Sequence, residues 1–286
     1  MTKKKMRTEK IWFSIAGFFA AMTVVALALL LFSIVREGAS VLSWSFITEA
    51  PRRNMTEGGI WPALVGTFYV SSLTVMISVP VGIGAAIYLN EYATQGPIVR
   101  MIRLSIRNLA GVPSIVYGLF GLGIFASFLQ IGVGLITAAI TLAIMVLPWV
   151  ITASEEALKA VPTSFREGGL ALGATKWQTI RQLVLPSAIP GMMTGSILGL
   201  ARAAGETAPI ILTGAAYYSR NLPTELTDSF MALPYHLYIL ATQHAQAGAV
   251  RPIAYGTALV LIILVILLNL TAIIIRNRFR RRNEAL

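Results

Sequence analysis

The sequence predicts an all-α, polytopic membrane protein with six transmembrane helices, and three observations carry that prediction. Hydrophobic residues make up 56% of the 286-residue chain and charged residues only 12%, against roughly a quarter charged in an ordinary soluble domain. Apolar runs of about 20 residues, enough to cross a hydrocarbon layer of ~30 Å, recur from end to end and leave no stretch for a large soluble domain. The basic residues behind the net charge of +11 gather in alternate connections between those runs.

The first helix is expected over residues 11–35. Lys3, Lys4, Lys5, Arg7 and Lys10 precede it as in a signal peptide. The apolar stretch is longer than the roughly 7–15 residues of an h-region and meets no clear small-residue cleavage site, so it reads as a retained helix. The connector to residue 62 contains the amphipathic piece Val41-Leu42-Ser43-Trp44-Ser45-Phe46-Ile47. That piece suits a packed connector, the preferred reading, or a helix lying along the membrane surface.

Further helices are expected over 63–90, 108–130, 133–153, 190–215 and 254–275. The third and fourth need a tight turn between them, supplied by Gly132 and Gly134. Segment 217–251 is polar at first and then helical over 230–246, suited to cap the bundle or touch an outer partner. Its two histidines, His236 and His244, lack a third ligand and are expected to be packed or solvent-facing, so no metal is assigned. Pro80, Pro113, Pro148 and Pro209 fall inside spans, where neighbouring helices can re-satisfy the freed backbone groups.

Six spans sort the basic residues onto two faces. One face holds the N-terminal cluster, then Arg100, Arg103 and Arg107, then Lys159, Arg166, Lys176 and Arg181, and finally Arg276, Arg278, Arg280, Arg281 and Arg282. The other holds only Arg36, Arg52, Arg53, Arg220 and Arg251. The richer face is expected to be cytoplasmic, with both termini. Orientation accounts for the charge without a nucleic-acid partner. The lack of cysteine excludes disulfides and thiolate chemistry. No Gly-x-Ser-x-Gly elbow or His-Glu-x-x-His pair supports a membrane-embedded enzyme, and no internal repeat supports a self-sufficient carrier.

Residues 154–190 join the fourth and fifth expected spans and are too polar to cross. Two helix-start signatures lie within, Ser164 with Glu167 and Thr175 with Gln178. Gly173 between them can take the left-handed conformation that ends a helix. The expectation is a short helix, a sharp turn and a second helix, with Leu170, Leu172, Trp177, Ile180 and Leu183 available for burial. Helices this short are marginal alone. The knob either docks on a soluble partner or folds back on the chain's own inner ends.

This run resembles the cytoplasmic loop of ABC importer permeases, whose pattern is Glu-Ala-Ala, three residues, Gly, nine residues, Ile, one residue, Leu-Pro. Here it reads Glu167-Gly168-Gly169, then Gly173, then Leu183, Val184, Leu185 and Pro186. The spacing is complete, with glycines for the two alanines and leucine for the isoleucine. The resemblance implies a type I ABC importer permease fold and a loop seated in a cleft of a separate ATPase. ATP and Mg would belong to that partner; the chain itself has no Gly-x-x-x-x-Gly-Lys-Ser/Thr phosphate loop and no cofactor of its own is expected.

A second signal is Gly199-Leu200-Ala201-Arg202-Ala203-Ala204-Gly205-Glu206-Thr207, two charges inside an apolar run. From an entry at Pro190, Arg202 lies ~18 Å along a helix, near the bilayer centre. Charges there are costly, and they share an arc with Gly191, Gly195 and Gly199 that faces protein or a cavity. A static pair locking two helices is the competing reading. The Arg-x-x-x-Glu-Thr arrangement is similar to that of phosphate-specific permease subunits of the Pst type. Chain length and Ala232-Leu233-Pro234-Tyr235-His236-Leu237-Tyr238 resemble PstA more than PstC subunits. The resemblance implies that Arg202, Glu206 and Thr207 line a phosphate pathway, with Arg202 facing phosphate oxygens and Glu206 holding the guanidinium. It also implies a bacterial inner membrane, a PstC-like permease partner, a PstB-like ATPase dimer and a periplasmic phosphate-binding protein. Sulfate, molybdate or phosphonate is the alternative cargo. In domain terms, residues 1–62 form an anchor and outer segment, 63–275 the permease unit and 276–286 a basic tail.

Overall fold

The computed structural model describes the backbone of residues 3–284 and the side chains of residues 12–278. The side chains of Lys3, Lys4, Lys5, Arg7, Lys10, Arg280, Arg281 and Arg282 therefore lie outside the described residues. Helix α1 (Lys3–Ala39) leads to a short α2 (Trp44–Thr48) and a two-stranded hairpin, β1 (Pro51–Arg52) antiparallel to β2 (Glu57–Gly58). Ser43 starts α2 by accepting the Phe46 N–H at 3.1 Å. Phe46 is buried with Ile60, Ala63, Met231 and Leu233, whereas Trp44 points outward. The amphipathic piece is thus a packed connector.

Helix α3 (Trp61–Ile87) continues through a π-helical turn, Tyr88–Tyr92. Amphipathic α4 (Pro97–Leu109) then meets α5 (Ser114–Phe120), extended by a π-helical stretch over Gly121–Phe128, at a bend of 107°. Pro113, with no N–H to continue the α4 ladder, fixes the bend. The third span accordingly starts at 114, not 108, and at ~22 Å is short for a full crossing. Gln130 and Gly132, both with positive φ, make the turn into α6 (Leu135–Lys159).

After α6 come α7 (Thr163–Ala171), α8 (Lys176–Thr179), a π-helical turn over Ile180–Val184, α9 (Leu185–Gly205) and α10 (Ala208–Thr213). Segments 176–205 form one continuous rod of 30 residues. The expected fifth span over 190–215 is corrected at both ends: it begins at the hairpin and stops at Gly205. Helix α11 (Leu233–Thr242) is shorter than the expected 230–246, and α12 (Ala247–Glu284) starts before residue 254. Among the described residues five rods are long and apolar enough to cross a membrane, and the bent α4–α5 pair can supply a sixth.

Helices α3, α6 and α9 form the centre, and α1 touches it mainly through α12. Both central helices bury hydroxylated residues, Thr67, Ser71, Thr74 and Ser78 on α3 and Thr137, Thr141 and Ser154 on α6, and Thr74 Oγ1 reaches across to Ala139 O at 3.5 Å. Threonines serve there because their hydroxyls bond back along their own helix, as Thr74 does to Val70 O at 2.7 Å. The free N–H groups at the start of α6 find carbonyls in the long outer loop: Leu135 to Asp228 at 3.0 Å and Ile136 to Leu226 at 2.7 Å. Both histidines are packed. His244 accepts the Gln246 N–H on Nδ1 and lies 2.7 Å from Asn54 O through Nε2. His236 is buried in α11, and burial pushes its pKa down to about 4.

Candidate functional site

The site has two parts at opposite ends of the 176–205 rod. At the first, α7 begins at Thr163 behind Pro162, with no side-chain cap. Ser164 is then already inside the helix, which corrects the expected Ser164–Glu167 capping box. The second capping box does form: Gln178 N–H donates to Thr175 Oγ1 at 3.3 Å, and Thr175 N–H donates to Gln178 Oε1 at 2.8 Å.

Between the helices the chain reverses through a Schellman turn. Ala174 N–H donates to Gly169 O at 3.1 Å and Gly173 N–H to Leu170 O at 3.0 Å. Gly173 has φ +82°, a conformation a β-carbon disfavours. Gly169 lets α7 cross α8 closely; a Cβ there would lie 2.7 Å from the Thr179 side chain. Gly168 faces open space, and Glu167 is exposed.

Of the five apolar residues expected to seek burial, Ile180 is buried within the chain, while Leu170, Leu172, Trp177 and Leu183 stay exposed, Leu172 at 89%. Leu185 and Pro186 carry the hairpin into α9. The prolines do not stop the helix. Leu185 N–H reaches back to Ile180 O in the wide π turn, immediately before the residue that has no N–H.

The second part lies where the rod ends. Pro209 cannot supply the N–H that would bond Gly205 O in a continuing helix, and its ring crowds that carbonyl. The chain breaks there, with Glu206 extended (φ −75°, ψ 136°) and Thr207 half-buried as the residue before α10. Arg202 thus occupies the last turn of α9, where the negative end of the helix dipole favours a cation.

Its Nε is 3.3 Å from Glu206 Oε1, and its guanidinium lies 5.5 Å from the centre of the Trp149 ring on α6. The Ser114 side chain, at the start of α5, lies beside the Glu206 carboxylate. Arg202 is 38% exposed and Glu206 16%. Among the described residues the guanidinium is ion-paired with that carboxylate alone. The glycine stripe below packs on α6: a Cβ on Gly195 would meet Ala153 Cβ at 2.4 Å. Trp149 and Ser114 were not foreseen. Trp149 follows Pro148 in an apolar run, and nothing local pairs it with Arg202.

Residues 78–284 match the family described as the inner membrane component of binding-protein-dependent transport systems. The chain is 33% identical over 276 residues to the probable ABC transporter permease protein YqgI of Bacillus subtilis, covering 93% of this chain and 94% of that protein. It is 35% identical over 273 residues to the phosphate transport system permease protein PstA 1 of Mycobacterium tuberculosis, covering 93% and 87%. With the probable PstA permease of Methanocaldococcus jannaschii it shares 31% identity over 266 residues, covering 91% and 90%. A chain of a bacterial ABC transporter involved in the import of alginate superposes with a TM-score of 0.67 at 15% identity, covering 96% of this chain and 98% of that one. A chain of the inward-facing MetNI methionine transporter gives 0.58 at 21%, covering 77% and 94%.

Proposed function

The chain belongs to the family of inner-membrane components of binding-protein-dependent transport systems, among its PstA-type permeases, and on that premise we propose that it lines the pathway of an ATP-driven phosphate importer. It is a transport subunit and not an enzyme. Permeases of this class work with a second permease, an ATPase and a periplasmic binding protein. The finer reading is a PstC-like permease, a PstB-like ATPase dimer that holds the ATP and Mg, and a phosphate-binding protein. The hairpin end and both termini face the cytoplasm, with the sequence divided as 1–62, 63–275 and 276–286.

One observation carries this reading: a single unbroken helix joins the exposed hairpin to Arg202. The hairpin, with Glu167, Gly168, Gly169, Gly173, Leu183, Leu185 and Pro186, offers Leu170, Leu172 and Trp177 to the ATPase. At the far end, Arg202 has N–H groups to offer phosphate oxygens, a geometry that suits a guanidinium fork. Glu206 balances its charge when the pathway is empty, and Thr207 stands at the same break.

The test is ATP hydrolysis and ion uptake by the complete complex in liposomes. Phosphate is expected to stimulate both and sulfate neither; equal stimulation by sulfate overturns the substrate. Arg202→Ala is expected to leave assembly intact and lower uptake at least about tenfold, the loss of one charge-assisted contact to the passing anion. Full uptake by an assembled Arg202→Ala complex removes Arg202 from the pathway.

A further inference from the structure

At the hairpin end of the bundle, two arginines converge on the last turns of α3 and its π-helical extension. Arg166, in α7, gives Nη2 to Glu91 Oε1 at 2.6 Å and Nε to Glu91 Oε2 at 3.1 Å. Its Nη1 donates to Val161 O at 2.9 Å and its Nη2 to Leu158 O at 3.0 Å. Leu158 is in the last turn of α6 and Val161 two residues past its end, where carbonyls have lone pairs to offer beyond the helix ladder.

Arg103, in α4, donates through Nε to Glu155 Oε1 at 2.7 Å, through Nη1 to Gln95 Oε1 at 2.8 Å and through Nη2 to Leu89 O at 2.9 Å. Leu89 belongs to the π-helical turn, and Asn90 Nδ2 donates to Glu91 Oε1 at 2.8 Å beside it. Lys176, at the start of the rod, lies 5.0 Å from the centre of the Tyr92 ring. Both hairpin helices therefore hold the foot of α3.

The side chains of Glu91, Glu155, Arg103 and Arg166 are largely buried. Buried charges fully matched by partners make a stiff network, because any displacement leaves a charge without compensation. Connectivity gives that stiffness a direction. The second half of the hairpin is covalently one helix with α9, whereas α7 packs on α8 and the π turn beside it. Arg166 is its polar tie to α3.

We propose that this two-arginine network is the joint through which movement of the hairpin reaches α3 and α6 together with α9, and that Arg166 and Glu91 are positioning residues for transport. The proposal rests on reading the hairpin as the ATPase-docking element. A joint and a mere staple differ in one observable. Loss of a staple lowers the amount of assembled complex; loss of a joint lowers the phosphate moved per ATP hydrolysed.

The measurement is phosphate uptake and ATP hydrolysis by the same proteoliposomes, containing the full complex with binding protein. The variant Glu91→Gln with Arg166→Gln removes both charges without orphaning either. It is expected to hydrolyse ATP near the parent rate while uptake per ATP falls about tenfold, within the usual range of coupling between sites. Arg166→Lys keeps the charge but not the fork, and an intermediate ratio is expected.

An unchanged ratio in the assembled neutral pair overturns the joint. If the neutral pair does not assemble, Arg166→Lys decides, and a parent ratio there overturns it equally. Absence of ATP-driven phosphate uptake in the parent complex would instead defeat the functional reading.

Discussion

Two Arg–Glu pairs, one beside the foot of the 176–205 rod and one at its far end, use the same chemistry to different ends. At the foot, Arg166 and Glu91 meet at 2.6 Å, with side chains 23% and 5% exposed, and the guanidinium also holds two backbone carbonyls. At the break, Arg202 and Glu206 stand 3.3 Å apart at 38% and 16%, four residues from each other in sequence and beside an aromatic face. The first pair is saturated. The second leaves N–H groups for something else. A charge whose partners are all supplied by the chain holds structure, and one whose partners are incomplete is available to a ligand.

The largest effect that sharpens this contrast is on stability. Arg166→Ala orphans a carboxylate only 5% exposed and is expected to cost about 3–5 kcal/mol; Arg202→Ala leaves a less deeply buried one, 16% exposed, and is expected to cost less, about 1–3 kcal/mol. Denaturation midpoints of the two variants, in the same detergent, check the ordering, and equal losses break the comparison.

His236 tests the complementary case of a buried group, since its Nδ1 has no hydrogen-bond partner among the described residues. Its folded pKa of about 4 lies below the ordinary 6.5. The unfolded chain therefore binds the extra proton first as pH falls. The stability present above pH ~6.5 is lost progressively down to pH ~4, by roughly 3 kcal/mol. The difference between parent and His236→Leu unfolding curves across that window isolates the contribution.

Smaller effects probe the hairpin. Gly169→Ala is expected to cost about 1 kcal/mol after the helix-propensity gain, and Thr179→Ala to recover it by removing the clash. Gly168→Ala, facing open space, is expected to stabilise by up to ~1 kcal/mol. The smallest is Trp149→Leu, expected to weaken retention of Arg202 by ~0.5–1 kcal/mol. It should appear as a shift in the phosphate concentration for half-maximal uptake, with little change in assembly.

Signals that act over a few residues were readable from the sequence. Thr175 with Gln178, and Gly173 with its positive φ, specify the hairpin turn through short-range hydrogen bonds and backbone sterics. Ser164 misled because Pro162 starts α7 ahead of it. The break after Gly205 also had a local cause in Pro209, but apolarity on both sides concealed it, since hydropathy reports solvent and not helix continuity. Pro186 and Pro190 erred the other way, inviting a helix start inside a rod that the π turn carries through. The foot network was illegible because Arg166 and Glu91 are 75 residues apart. As single residues they look like charges at the edge of a membrane.

The unbroken helix between hairpin and break also has a mechanical meaning. Arg202 sits ~39 Å from Lys176 along the axis, so a tilt of about 5° at the hairpin displaces it by about 3 Å. Glu206, the residue that follows the end of the rod, travels with it, whereas Trp149 belongs to α6. A lever of this length lets a small rotation of the foot slide the guanidinium across the Trp149 ring without unwinding any helix.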